Sequence, residues 1–137
     1  MEFKEEEHIL NAGSIIDHFG YWPTFHDAEV ISISFQRNFK DSNSTLEFQL
    51  YAFIMTSKVK GRHFELIKHC LIDFELADLH DNSMDGFNHQ NALSRINFYR
   101  EGDLLVCELS AAYGVDAKFT SKHIRVKKLT PIASGHF

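Results

Sequence analysis

The chain has 137 residues, 44% of them apolar, and a formal net charge of -5. That length fits one domain, residues 1–137, with a core large enough to need no staples. The acidic balance lacks the basic stripe of a nucleic-acid surface, and no apolar run approaches the ~20 residues that span a bilayer.

Thirteen phenylalanines point to a core built from aromatic rings. Cys70 and Cys107 show no metal-type spacing and read as buried, reduced thiols. The acidic stretch Glu5-Glu6-Glu7 and its neighbours lack the apolar segment of a secretory signal, so a cytoplasmic protein is expected.

Residues 5–19 have the pattern of a short amphipathic helix. Ile9, Ala12, Ile16 and Phe19 form one stripe, with Ile15 beside it. Gly20 stands where a left-handed cap would end the helix, and Pro23 disfavours a helical Trp22. A first strand is expected over 28–39, where Ile31, Ile33 and Phe35 alternate with Ser32, Ser34 and Gln36. After the turn at 40–44, a second strand covers 45–57, with Leu46, Phe48, Leu50, Ala52 and Ile54 on one face; the two form a hairpin. Residues 58–63 read as a basic, solvated hairpin tip.

A third strand spans 64–77. Residues 78–91, rich in Asp, Asn, Gly and His, read as an irregular connection. Strands over 92–99 and 104–109 flank the turn Arg100-Glu101-Gly102-Asp103, and a last strand runs from 117 to 129, stopped by Pro131. The expected fold is α+β: a short N-terminal helix packed on a mainly antiparallel sheet of about six strands over 28–129, either a strongly curved open sheet or a partial barrel.

Two stretches hold the unusual residues. The first contains Trp22, Pro23, His26, Asp27 and Glu29. An adjacent His-Asp pair is used by metal-dependent phosphohydrolases, but there it lies on a helix, and here it leads into a strand. A different metal site of His26, Asp27 and Glu29 with His18, His80 or His89 is chemically feasible, although no ligand spacing is present. The competing reading is structural: His26 bonds a backbone group of the junction and Asp27 caps a turn. Tyr21, Trp22 and Phe25 pose the same choice between core and interface anchors.

The second stretch holds Gly86, Phe87, Asn88, His89, Gln90 and Asn91. Gly86 permits a positive φ, and the amides of Asn88, Gln90 and Asn91 can stitch a tight loop. The same loop, exposed beside Phe87, would also suit partner recognition. There is no nucleophile elbow, no phosphate loop and no helix-start cysteine.

Phe19 through Val30, with Trp22, Pro23, His26 and Asp27 in order before an alternating strand, resembles the opening signature of the immunity protein 50 family of bacterial polymorphic-toxin systems. Leu71-Ile72-Asp73-Phe74-Glu75, followed by Gly86 to Asn91 and a strand, is similar to that family's central segment. Residues 114–126, with Phe119 in a strand, are similar to a later part. The insertion-like stretch 78–85 between them carries none of the resemblance. The resemblance implies a small, non-enzymatic cytosolic protein that binds and neutralises a cognate toxin, with no cofactor, metal, nucleic acid or membrane involved. Negative charge would steer it toward a basic toxin. Two other readings compete: a ligand-binding or metal-dependent enzyme using His26, Asp27 and Glu29, and a scaffold that pairs through a strand edge.

Overall fold

The computed structural model describes residues 3–133. The two-residue apolar period becomes six strands: β1 (Glu29–Arg37), β2 (Ser44–Lys60), β3 (His63–Asp85), β4 (Leu93–Glu101), β5 (Leu104–Ala111) and β6 (Asp116–Pro131). They form one sheet in the order β1-β2-β3-β6-β5-β4, and every neighbouring pair is antiparallel. Both expected hairpins, β1–β2 and β4–β5, are present. One short helix, α1 (Gly13–Phe19), accompanies the sheet.

The sheet does not close into a barrel. β1 and β4 are the two edges, and they meet through a single bridge between Glu29 and Ala92. Six flat strands would hold those edges ~24 Å apart. The bridge therefore requires the sheet to bend at that end.

Alternation decides the core. Leu46, Phe48 and Leu50 of β2, Ile72, Phe74 and Leu76 of β3, and Ile124 and Val126 of β6 are buried. The phenylalanines knit this layer to the far edge. Phe74 stacks on Phe48 with centroids 4.9 Å apart and meets Phe25 at 6.1 Å and Phe98 at 5.8 Å. Each such ring pair adds about 0.5–1.5 kcal/mol beyond its buried area. Cys70 and Cys107 are free and buried, and burial pushes the Cys70 thiol up to about 12 and raises Cys107 as well.

The N-terminal segment differs from the helix expected over 5–19. Glu5–Glu7 is a single 3-10 turn, and the α-helix begins only at Gly13. Between them the chain docks on β6 instead. β5 reaches only residues 117–121 of that strand, which leaves its later edge open. Leu10 fills the gap: its N–H donates to the Ile124 carbonyl (2.9 Å), and its carbonyl accepts from the Val126 N–H (2.8 Å). The Asn11 amide adds a bond to the Val126 carbonyl at 2.9 Å, with Asn11 itself at φ 61°. Satisfying an open strand edge outweighs one more helical turn. The buried face shifts accordingly to Ile9, Ala12, Ile15 and Phe19, leaving Ile16 half-buried.

The other correction concerns residues 78–85. They are strand, not loop: β3 runs on to Asp85, with Leu79 opposite Ser121 and Asp85 opposite Asp116. Asp78 takes φ 54°, the register shifts between Leu79 and Asp81, and the residues from His80 to Asp85 are all exposed. A strand with no buried face leaves no periodicity to read. β1 also ends early, at Arg37, because Asn38 turns the chain by donating its N–H to the Asn43 carbonyl and its side-chain amide to Asn43 Oδ1.

Candidate functional site

The two unusual stretches meet in space. Gly20, at φ 89°, donates its N–H to the Ile16 carbonyl and ends α1, so the next residues turn out toward the sheet edge. Trp22 then lies half-buried, with Phe25 at 5.7 Å and Phe98 at 5.9 Å. From Thr24 onward the chain runs beside β4. The Thr24 carbonyl accepts from Ile96, the Asp27 N–H donates to the Leu93 carbonyl, Leu93 donates back to the Ala28 carbonyl, and Val30 donates to the carbonyl of Asn91. These bonds stitch the two edges of the sheet at one corner.

The corner is strained. Phe25 (φ 65°) and Asp27 (φ 67°) both adopt the left-handed region, one on each side of His26. Such a conformation costs on the order of 1–3 kcal/mol per non-glycine residue. Burial of the Phe25 ring against Phe74 and the bond from Asp27 to Leu93 hold it in place.

His26 and Asp27 do not play the structural parts anticipated for them. Their side chains point to solvent, 68% and 39% exposed, and contact each other, Nδ1 to Oδ2, at 3.1 Å. Neither side chain bonds a backbone group among the described residues. It is the backbone of this motif that is architectural. An exposed pair of this kind is worth about 0–1 kcal/mol.

The alternative metal set is not assembled. Among the described residues no three His, Cys, Asp or Glu side chains gather in a group able to hold an ion. His18 is committed to the Lys68 carbonyl at 2.8 Å, and His80 and His89 are exposed elsewhere. A His-Asp pair activates a side-chain nucleophile through a hydrogen bond on the other ring nitrogen. Among the described residues, His26 has no such hydrogen bond.

The second stretch is a self-bonded loop under the first. Asn91 is 3% exposed; its Oδ1 accepts from the Asn88 N–H (2.9 Å) and its Nδ2 donates to the Asn88 carbonyl (2.7 Å). Asn88 in turn donates to the Gly86 carbonyl and accepts from the Gln90 N–H. The amide of Gln90, anticipated as a third stitch, stays exposed, and this residue contributes through its backbone. Phe87 and His89 are exposed at the loop surface.

Sequence reasoning missed the role of Gly114. A Cβ there would lie 2.3 Å from the Gln90 carbonyl and 2.6 Å from Asn91 Oδ1, and one on Gly86 would lie 2.5 Å from the Gly114 carbonyl. Three backbones approach so closely that two glycines at positive φ are required.

Beside the corner lies a groove of about 270 Å³. Trp22, Pro23, His26 and Asp27 line one wall, and Phe53, Ile54 and Met55 of β2 the other. A separate polar hollow of about 390 Å³ lies on the outer sheet face, between Ser32, Ser34, Gln49 and Lys127. Within it Lys127 pairs with Glu47, and Asp73 Oδ1 accepts from the Gln49 amide at 3.0 Å.

No curated protein matches the chain. A crystal structure of an uncharacterized protein from Neisseria gonorrhoeae is similar over 79% of this chain and 94% of that one. At 14% identity and a TM-score of 0.45, it is too distant to inform on function. The sequence model described as Immunity protein 50 matches residues 11–132, spanning α1, all six strands, the strained corner and the loop beneath it. The chain therefore belongs to the Immunity protein 50 family.

Proposed function

We propose that this chain is a non-enzymatic immunity protein that binds a cognate bacterial toxin in the cytoplasm of the cell that makes it, and so neutralises it. The observation that carries the reading is the family match over residues 11–132. The corner is consistent with it. Its backbone bonds join two sheet edges, the amides of Asn88 and Asn91 bond within the loop, and its His-Asp pair is exposed with no side-chain nucleophile bonded to it among the described residues.

The test is co-expression with the toxin domain encoded by the adjacent open reading frame. Growth of a sensitive host should be restored by the chain and equally by His26→Ala/Asp27→Ala. Loss of protection in that double variant, with folding intact, would instead favour chemistry at the pair. Failure of the unaltered chain to protect would remove the proposal altogether.

A further inference from the structure

The β2–β3 hairpin is longer than its neighbours. β1 accompanies β2 only as far as Tyr51, and β6 accompanies β3 only from Cys70 onward. Residues 52–60 and 63–69 therefore leave the sheet as a two-stranded arm, paired to each other through Ile54–Ile67, Met55–Leu66, Val59–Phe64 and Lys60–His63. No further strand borders the arm among the described residues.

A free ribbon in water is marginally stable and would be expected to carry polar side chains. This one exposes Met55, Val59, Phe64 and Leu66 in two adjacent cross-strand pairs, each between 38% and 62% accessible. Apolar residues gathered in this way mark an interaction surface more than a random surface does. Met55 also lines the groove beside Trp22, so the patch runs continuously from arm to corner.

Charge then specifies the partner. Residues 52–69 contain Lys58, Lys60, Arg62 and Lys68 against the single acid Glu65, which Lys60 pairs at 3.0 Å. The arm thus carries +3 in a chain of net -5, leaving -8 for the remainder. The arm's basic rim around an apolar centre fits an acidic surface around an apolar patch. A second copy of the arm is disfavoured, because symmetric pairing would set like charges together. A protein face suits it better than lipid: the arm's open backbone edges can be met by a strand, whereas hydrocarbon leaves them unsatisfied.

We infer that this arm, from Met55 at the groove's β2 wall outward, is the surface that grips the toxin, and that the toxin presents to it an acidic, apolar-centred face. The inference rests on the immunity reading and reverses the charge expected of the toxin's contact surface from the net charge alone.

The experiment measures binding of the purified chain to the toxin domain of the adjacent reading frame by calorimetry. Two variants are compared with the unaltered chain: Lys58→Glu/Lys60→Glu/Arg62→Glu and Val59→Ser/Phe64→Ser. Lys122→Glu/Lys128→Glu, away from the arm, controls for overall charge. Melting curves of all four establish folding. Each arm variant should weaken binding by about 30-fold or more, the level of interface hot spots. Added salt should weaken the unaltered chain's binding and barely affect the charge-reversed variant. Affinities within about twofold of the unaltered chain for both arm variants would overturn the arm while leaving the immunity reading standing. Arm-dependent binding to anionic phospholipid vesicles, with none to the toxin domain, would overturn it in favour of a membrane. No binding by the unaltered chain at all would overturn both readings.

Discussion

The corner and the arm lie on either side of one groove and are built in opposite ways. In the corner, backbone groups from Thr24 to Val30 are paired with β4 and the loop before it, and Asn91 is sealed inside. In the arm, no strand flanks the hairpin and large apolar side chains stand in water. The corner carries the conspicuous motif, the arm none. A distinctive sequence can therefore mark the place where a fold is difficult to make. A partner-facing surface needs only exposure and charge.

The largest effect that would sharpen this contrast is at Gly114. Gly114→Ala places a methyl within 2.6 Å of Asn91 Oδ1 and closer still to the Gln90 backbone, so a loss of about 4 kcal/mol or failure to fold is expected in urea titrations. Gly61→Ala at the arm tip has an open space around it and only the positive φ to oppose it. About 1 kcal/mol is expected there. Equal losses at the two glycines would break the comparison.

Asn91→Ala comes next. It removes both hydrogen bonds that the buried Asn91 amide makes to the Asn88 N–H and carbonyl, which should cost about 1–3 kcal/mol in chemical unfolding.

These residues also show what the sequence made legible. The hairpin β1–β2 was readable because Leu46, Phe48 and Leu50 alternate against a core. The extension of β3 was not, because residues 80–85 have no buried side to write a period. Residues 5–12 were read as helix because Ile9 and Ala12 keep helical spacing, yet Leu10 answers to Ile124, over a hundred residues away. At the candidate site, the motif residues were found, but not that the two stretches touch. The side chains of His26 and Asp27 pair with each other in solvent, and it is the Asp27 backbone that bonds the junction. The need for glycine at 114 arises entirely from Gln90 and Asn91, so nothing local announces it.

Smaller effects follow at the edge of β4. The Glu5 carboxylate accepts the Phe98 N–H at 2.6 Å, and burial raises its pKa above the ordinary glutamate range, with the Phe98 bond acting in the opposite direction. The folded chain thus holds that proton to higher pH than the unfolded chain. The stabilisation from protonated Glu5 is complete below the ordinary pKa and is lost as pH rises through the folded value. Glu5→Gln, whose carbonyl can still accept from Phe98, should flatten this part of the pH dependence, on the alkaline side of the ordinary glutamate pKa. An unchanged slope would show that Glu5 does not titrate as described. His26→Ala should change stability least, by about 1 kcal/mol or less in thermal melts, since it removes an exposed pair.

Amide hydrogen exchange, read residue by residue with and without the adjacent toxin domain, tests the division between corner and arm most directly. Val30, Asp27, Leu93 and Ile96 should be strongly protected in the free chain and change little on binding, while amides of residues 52–69 exchange quickly alone and gain protection in the complex. Fast exchange at the corner in the free chain, or new protection confined to it on binding, would contradict the assignment of structure to one region and contact to the other.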